Sequence, residues 1–257
     1  MRRLVVFTDL DGTLLETGTY DCGPARPVLE RLKSRGDRVI AVTSRTWAEV
    51  EKLFEEIGLP PAGVVENGSA IRLTDEGGRY DARLGCTLEE AQRAFDALRA
   101  ELGTALRHLG EIGTAEAARV TGLDEATVTL AVRREFGVVI LPAPGVSFAT
   151  ASEAAARLGV RLIEGDRFWH LVGSGADKGR GVRLLRVQLA AEGCRIVGLG
   201  NGPSDAGMLE AVDVPFVVPG EHGPHAALAS RGWRVAPAPG PAGWAAAITD
   251  VLSSVDE

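Results

Sequence analysis

The sequence has no excess of basic residues and no long apolar run. Lys and Arg total 28 against 35 Asp and Glu, which gives a formal net charge of −7. A nucleic-acid-binding domain usually carries a basic face, so this balance argues against a nucleic-acid partner. No stretch approaches the roughly 18 consecutive apolar residues that a membrane-spanning helix needs, so we also expect no membrane partner.

Cysteines and aromatic residues are scarce as well. The cysteines are Cys22, Cys86 and Cys194, and aromatic residues make up 5% of the chain. An odd number of widely spaced cysteines excludes a disulfide framework and a cysteine zinc site, and it predicts a reduced, cytoplasmic location. The chain instead has 32 glycines and 13 prolines, which predict many short elements joined by turns.

What is present is an alternation of short apolar strands and amphipathic helices. Apolar runs at 4–8, 39–42 and 64–65 alternate with helical patterns at 24–35 and 47–57. Buried apolar strands separated by helical crossovers are typical of a parallel sheet. The same alternation returns later in the chain, with a helix predicted over 177–191, a strand over 195–199, a helix over 204–211, a strand over 216–218 and a helix over 243–252. Between the last two of these elements, the Ala/Pro/Gly stretch 236–243 predicts a loop.

The middle of the chain has a different order of predicted strands and helices. A hairpin arm is predicted at 70–73, followed by a turn at 75–78, and a capping box from Thr87 to Glu90 opens a helix that runs to residue 102. Further predicted elements are helices over 124–134 and 149–157 and strands over 137–141 and 160–163. The sequence therefore predicts an α/β fold, a Rossmann-like parallel-sheet core with an inserted α+β cap domain. The predicted divisions are core over 1–80, cap over 81–165 and core over 166–257.

Two carboxylates follow the first predicted strand, Asp9 and Asp11 in the run Asp9-Leu10-Asp11-Gly12-Thr13. Ligands of open α/β sheets bind at the carboxyl ends of the strands, so these side chains are candidates for chemistry. Such a pair can bind a hard divalent cation through oxygen and can provide a nucleophilic carboxylate. The alternative is that Asp and Gly merely form a turn.

Other polar residues follow further predicted strands or open helices. Thr43 and Ser44 follow the second strand, where a hydroxyl can bind a phosphate oxygen or simply cap the next helix. Lys178 lies in the first turn of a predicted helix, a position that is unfavourable for a cation unless an anion compensates. The loop 198–205 carries Asn201 and Asp205, which can reach the same region. This loop lacks the third glycine of a dinucleotide-binding fingerprint, and the chain has no Walker A pattern.

The order of these segments resembles the haloacid dehalogenase superfamily of phosphohydrolases over almost the whole chain. The resemblance implies that Asp9 is the nucleophile and that Asp11 protonates the leaving oxygen and then activates water. It also implies that Thr43, Ser44 and Lys178 hold the phosphoryl oxygens. Mg²⁺ is implied as the cofactor, held by four residues, namely Asp9, Asp11 through its carbonyl, Asn201 and Asp205.

A narrower resemblance concerns the Cof-type branch and, within it, the mannosyl-3-phosphoglycerate phosphatase family. It is carried by Glu66-Asn67-Gly68 and by three further runs, 123–126 with 134–136, 165–170 and 175–180. It implies a small phosphorylated carbohydrate as substrate, a glycosyl-3-phosphoglycerate in particular. The residues implied to contact the substrate are Asn67, Arg134, His170 and Arg180. Arg133 and Arg134 close a predicted cap helix, where they can pair with a substrate carboxylate or simply favour the C-terminal end of the helix.

Two positions depart from the family pattern. Asn201 stands where relatives carry an aspartate, which removes one negative charge from the metal loop and predicts weaker Mg²⁺ binding. Gly137 follows Arg134-Glu135-Phe136 where relatives tend to carry an acid, which puts the sugar in question more than the phosphatase chemistry. Two alternatives stay open, a sugar phosphomutase and a phosphatase-like binding protein with impaired turnover. The oligomeric state is not predicted.

Overall fold

A computed structural model describes residues 3–75, 78–165, 167–190 and 193–256. The predicted turn at 75–78 and the run 165–170 therefore fall partly outside the described residues, at 76–77 and 166, and the predicted end of a helix at 191 lies outside them too. The strands are β1 (Leu4–Thr8), β2 (Arg38–Val42), β3 (Ala62–Val65), β4 (Ala70–Asp75), β5 (Gly78–Arg83), β6 (Arg107–His108), β7 (Gly137–Leu141), β8 (Val160–Glu164), β9 (Trp169–Gly173), β10 (Arg195–Gly200), β11 (Val214–Val217) and β12 (Arg234–Val235). The α-helices are α1 (Arg26–Arg35), α2 (Trp47–Glu56), α3 (Leu88–Leu102), α4 (Thr114–Thr121), α5 (Glu125–Ala131), α6 (Phe148–Arg157), α7 (Lys178–Ala190), α8 (Ala206–Glu210), α9 (Ala226–Ala229) and α10 (Gly240–Asp256).

The larger sheet has eight strands in the order β12-β11-β10-β1-β2-β3-β4-β5. The strands from β12 to β3 pair in parallel, whereas β4 and β5 are antiparallel additions at one edge. Alternate residues of β1 enter different cores: Leu4 and Val6 pack with α1, α2 and α10, and Val5 and Phe7 pack with α7 and α8. Helices therefore cover both faces of a parallel-dominated sheet, which confirms the predicted α/β fold class.

The smaller sheet has four antiparallel strands in the order β6-β7-β9-β8. Its Val138 and Ile140 pack with α3 and α6, and Val139 packs in a second cluster with residues of α4 and α5. The smaller sheet also contains β9, which is not predicted from the sequence. In the larger sheet, β5 continues past residue 80 to Arg83. The division at 80 and 165 stays a prediction.

Two predicted helices differ from the structure by three residues or more, and two short helices, α4 and α9, are not predicted. Helix α5 ends at Ala131 and not at residue 134, so Arg133 and Arg134 lie in the connection to β7. Helix α10 begins at Gly240, inside the stretch that predicts a loop, because Pro241 occupies its first turn, where no backbone N–H is needed. Helix α4 is not predicted, since Ala117 and Thr121 are its only buried residues and give little periodic signal. No helix in the described part of the chain is both long and apolar enough to cross a membrane.

Candidate active site

Asp9, Lys178 and Asp205 form a buried group at the carboxyl end of β1. Asp9 directly follows β1, and its backbone N–H donates to the Leu199 carbonyl of β10 at 2.9 Å. The Lys178 ammonium, at the start of α7, donates to Asp9 Oδ1 at 2.8 Å and to Asp205 Oδ1 at 2.7 Å. The three side chains are at most 10% exposed. The structure thus joins residues from both ends of the chain, and the carboxylates supply the anion that a lysine in the first turn of a helix requires.

This group contains two carboxylates but only one ammonium. Burial raises the pKa of Asp9 to about 7, and the neighbouring Asp205 adds to this rise, while Lys178 opposes it. Burial also works against the charge of Lys178, but Asp205 and Asp9 outweigh it and hold the Lys178 pKa above its ordinary value. One ammonium therefore serves two carboxylates, and further positive charge at these oxygens would favour the ionised form of Asp9.

The loop after β10 contacts the backbone of Asp11. Asp205 Oδ2 accepts hydrogen bonds from the backbone N–H groups of Asn201 and Gly202, at 3.1 and 3.0 Å. The Asn201 side-chain amide donates to the Asp11 carbonyl at 3.1 Å. A Cβ on Gly12, whose φ is +72°, would come within 2.5 Å of that amide nitrogen. Glycine at position 12 therefore permits the close contact between the two loops.

These oxygens fit a hard cation in kind. The carboxylates of Asp9 and Asp205, the Asp11 carbonyl and the Asn201 side chain lie at one end of the sheet, and oxygens of these kinds suit Mg²⁺. Among the side chains that the structure describes, no group of three or more His, Cys, Asp or Glu residues is arranged to hold a metal ion. Lys178 stands between two of the carboxylates, and the Asn201 amide must turn its oxygen inward before it can act as a ligand.

Arg45 holds the Asp11 carboxylate. Its Nη2 lies 2.6 Å from Asp11 Oδ1 and its Nε lies 3.0 Å from Oδ2, which is a bidentate pair. The guanidinium also stacks on the Tyr20 ring at 4.9 Å and lies 3.7 Å from Glu49 Oε1. The Asp11 side chain is 43% exposed, so it can meet a substrate. Arg45 is not identified from the sequence, although it lies two residues after Thr43 in the same segment.

Thr43 and Ser44 lie in the turn between β2 and α2. The Thr43 hydroxyl accepts a hydrogen bond from the Arg45 backbone N–H at 3.1 Å. The residue that caps α2 is Thr46, in a capping box with Glu49. Because neither Thr43 nor Ser44 caps the helix, the alternative that they serve only as helix caps is wrong. Their proposed role as phosphoryl ligands stays a prediction.

Glu66 joins the core to the cap, a role that is not predicted from the sequence. Its carboxylate is 1% exposed and accepts hydrogen bonds from the backbone N–H groups of Glu135 and Phe136, at 2.8 and 3.2 Å. The same carboxylate lies 3.3 Å from Arg134 Nε. A second contact nearby is made by Arg72, which pairs with Glu135 at 2.8 Å through Nη2. The cap is thus docked onto the core beside the site.

The residues implied to contact substrate lie in different surroundings. The Asn67 side-chain nitrogen is buried, has no hydrogen-bond partner in the described structure and lines a small cavity of about 30 Å³ with Lys178. Such a space holds about one water molecule. Arg134 donates to the Ser44 carbonyl at 3.1 Å in addition to its contact with Glu66. These two residues therefore lie beside the Thr43 turn and Lys178.

His170 and Arg180 differ in their relation to the site. His170 Nδ1 is buried without a partner in the described structure, and burial lowers the pKa of His170 to about 3, with Arg134 and Lys178 adding to the effect. Its neutral ring therefore lies close to both of these cations. Arg180 is exposed, and its guanidinium donates to the Gly175 carbonyl at 2.9 Å. The structure therefore groups His170 with the site but directs Arg180 toward Gly175.

Comparison with known proteins supports the same family. A family model described as haloacid dehalogenase-like hydrolase matches residues 6–104. A glucosyl-3-phosphoglycerate/mannosyl-3-phosphoglycerate phosphatase from Persephonella marina is 30% identical over 98% of each chain. A protein of the same name from Methanococcoides burtonii is 32% identical over 96% of this chain and 97% of its own. A crystal structure of a haloacid dehalogenase-like hydrolase from Bacteroides thetaiotaomicron matches 98% of this chain and 100% of its own, with a TM-score of 0.71 and 17% identity.

Proposed function

Since the chain belongs to the haloacid dehalogenase-like hydrolases and is a phosphatase, we propose that it hydrolyses the phosphomonoester of a glycosyl-3-phosphoglycerate. The observation that carries the chemistry is the buried Asp9 carboxylate, held by Lys178 with Asp11 two residues away. The substrate class rests on the names of two relatives that are similar over nearly their whole length.

In the first proposed step, an Asp9 carboxylate oxygen attacks phosphorus and the bond from phosphorus to the leaving oxygen breaks. Asp11 gives a proton to that oxygen, so the product leaves as an alcohol. Lys178 lies within hydrogen-bond distance of Asp9 and neutralises charge on the phosphoryl oxygens as they approach. Thr43, Ser44 and Asn67 are the proposed neutral ligands of those oxygens.

In the second proposed step, water attacks the phosphorus of the aspartyl phosphate. Asp11 accepts a proton from this water, and the bond between phosphorus and the Asp9 oxygen breaks. Inorganic phosphate leaves and both carboxyl groups return to their starting state. Arg45 orients the ionised Asp11 that receives this proton, because its two N–H groups fix the plane of the carboxylate.

Mg²⁺ is the proposed cofactor, with oxygens of Asp9, Asp11, Asn201 and Asp205 as its protein ligands. When bound it would neutralise charge on the phosphoryl oxygens. Two buried carboxylates, Asp9 and Asp205, share the single ammonium of Lys178, and this excess of negative charge supports the assignment. Asn201 offers a carbonyl oxygen without a charge, so we expect weaker binding than an aspartate would give.

Phosphate release by the purified chain tests the proposal. With millimolar Mg²⁺, we expect release from glucosyl- and mannosyl-3-phosphoglycerate with a higher kcat/KM than from hexose phosphates. The Asp9→Asn variant should lose this release, and Glu116→Gln, an exposed change in the cap, should keep it. Transfer of phosphate between positions without release would indicate a phosphomutase, and binding without turnover would indicate a binding protein. Either result would contradict the proposal.

A further inference from the structure

A polar cleft lies beside Asp11 and is not used by the phosphoryl chemistry. Its volume is about 280 Å³, and it lies between the segment 15–20, helix α2 and the cap residues around α5. The lining side chains that matter most are Tyr20, Arg45, Lys52, Glu56, Asp124 and Thr127. Small-molecule sites usually have volumes of roughly 300–1,000 Å³, so this cleft is large enough for one compact group.

The cleft and the phosphoryl site share Arg45 as a wall. Arg45 holds the carboxylate of Asp11 on one side and lines the cleft on the other. A group that protonates the leaving oxygen must lie within hydrogen-bond reach of it. The leaving group therefore departs on the side of Asp11, and the cleft lies next to that side because the same guanidinium borders both.

The walls of the cleft present both donors and acceptors. On the core side, Lys52 Nζ lies 3.9 Å from Glu56 Oε1, and the two side chains are 49% and 56% exposed. On the cap side, Asp124 accepts from the backbone N–H and the hydroxyl of Thr127, both at 2.8 Å. These bonds lower the pKa of Asp124, and the charge of Lys52 acts across the cleft in the same direction. Core and cap charges therefore face each other across the cleft.

The charge pattern selects among possible occupants. A further phosphate or carboxylate would meet Glu49, Glu56 and Asp124, which repel it. An apolar group would displace water from these charged side chains without replacing its hydrogen bonds, which costs free energy. A hydroxyl group is both a donor and an acceptor, so a neutral group with several hydroxyls can pair with Lys52 and with the carboxylates at once.

The backbone of Tyr20, at the wall of the cleft, has an unusual conformation. Its φ is +57°, a left-handed conformation that is uncommon for a residue with a large side chain. Strained conformations of this kind persist where the surroundings hold them, and they cluster at ligand sites. The strained backbone places an aromatic ring at the wall of the cleft, under the Arg45 guanidinium.

We propose that this cleft binds the glycosyl group of the substrate, a neutral polyhydroxylated ring, through Lys52 and Glu56 of the core and Asp124 of the cap. This inference rests on the proposed function and assigns the part of the site that distinguishes a glycosylated phosphoglycerate from phosphoglycerate itself. A site with partners from core and cap binds the sugar only while the cap is docked. Specificity is therefore coupled to the docking contacts around Glu66.

The experiment has two arms. The first measures kcat/KM for glucosyl-3-phosphoglycerate and for 3-phosphoglycerate. The second measures inhibition of p-nitrophenyl phosphate hydrolysis by glucosylglycerate and by glycerate, neither of which carries phosphate. The variants are Lys52→Met, which keeps the aliphatic stem, and Glu56→Gln. The control is Arg93→Met, which removes one end of another exposed pair four residues apart, with Glu89 on α3.

We expect Lys52→Met to lower the kcat/KM ratio of glycosylated to plain substrate about tenfold, because a hydrogen bond to a charged group is lost. The same variant should weaken inhibition by glucosylglycerate relative to glycerate by a similar factor. Glu56→Gln should act in the same direction, and Arg93→Met should change neither ratio.

The outcomes separate the two proposals. If the wild type releases no phosphate from glycosyl-3-phosphoglycerates but glucosylglycerate still inhibits through Lys52, the proposed substrate is wrong and the sugar site stands. If the wild type hydrolyses those substrates but both ratios are unchanged in Lys52→Met and Glu56→Gln, the sugar site is wrong. Equal losses with both substrates would also overturn it.

Discussion

Replacing Glu66 by glutamine should destabilise the protein far more than an ordinary surface substitution. The change keeps the shape of the side chain but removes its charge and one of its two acceptor oxygens. In the native protein these oxygens accept from the N–H groups of Glu135 and Phe136 and face Arg134 Nε at 3.3 Å. The amide NH₂ of glutamine must then face at least one of these donors.

The magnitude follows from the groups left unpaired. A buried N–H without a partner costs about 1–3 kcal/mol, and breaking a buried ion pair costs about 3–5 kcal/mol. Since one oxygen still accepts, we expect the free energy of unfolding to fall by about 3 kcal/mol in Glu66→Gln. Glu116→Gln is the matched control, because Glu116 makes a bidentate pair with Arg107 on the exposed surface. That change should cost less than about 1 kcal/mol.

Urea unfolding, followed by circular dichroism, measures both variants. A double-mutant cycle with Arg134→Met then isolates the contact between the two charges. The double variant should be more stable than the sum of the single losses predicts, by about 1–2 kcal/mol. A loss in Glu66→Gln no larger than in Glu116→Gln, or strict additivity with Arg134→Met, would refute the assignment of Glu66 as the docking residue.

Three further changes have defined outcomes. The folded-state pKa of His170, about 3, lies below the ordinary 6.5. The stability that depends on its neutral ring is therefore complete above pH 6.5 and is lost as the pH falls toward 3. In His170→Leu, the free energy of unfolding should fall less between pH 7 and 5.5 than in the wild type, by up to about 1.4 kcal/mol per pH unit, as measured by urea unfolding. A pH dependence equal to that of the wild type would contradict this. Asn201→Asp should lower the Mg²⁺ concentration for half-maximal phosphate release and for half-maximal thermal stabilisation, and unchanged midpoints would show that residue 201 is not a ligand. Gly12→Ala should lower Tm by several degrees and reduce phosphate release, since the added Cβ meets Asn201 at 2.5 Å and the φ of +72° disfavours alanine; wild-type Tm and activity would show that the two loops adjust freely.

The local signals of the sequence predict the core well. Short apolar runs bounded by turn residues mark β1 and β2, and the carboxylates after β1 and the loop after β10 meet where parallel strands end. Lys178 is predicted because a cation in the first turn of a helix is unfavourable unless an anion lies nearby. In the structure those anions are Asp9 and Asp205, two partners far away in sequence.

Long-range partners explain what the sequence does not predict. Glu66 looks like an ordinary acid until the chain brings the N–H groups of residues 135 and 136 onto its carboxylate. Helix α5 ends at Ala131, and the chain then turns so that the N–H groups of Glu135 and Phe136 reach Glu66, a contact that no local signal predicts. Arg45 is missed for a similar reason, because its role depends on Asp11, 34 residues earlier.

Covalent capture of phosphate on Asp9 tests the proposed mechanism most directly. In Asp11→Asn, p-nitrophenyl phosphate should still phosphorylate Asp9, because nitrophenolate leaves without a proton, while the loss of the general base slows the attack by water. We expect an acid-quenched sample to show one added phosphoryl group on the peptide that contains Asp9, and no such group in Asp9→Asn. Phosphate on another residue, or a burst of nitrophenolate with no phosphoryl group on the protein, would contradict Asp9 as the nucleophile.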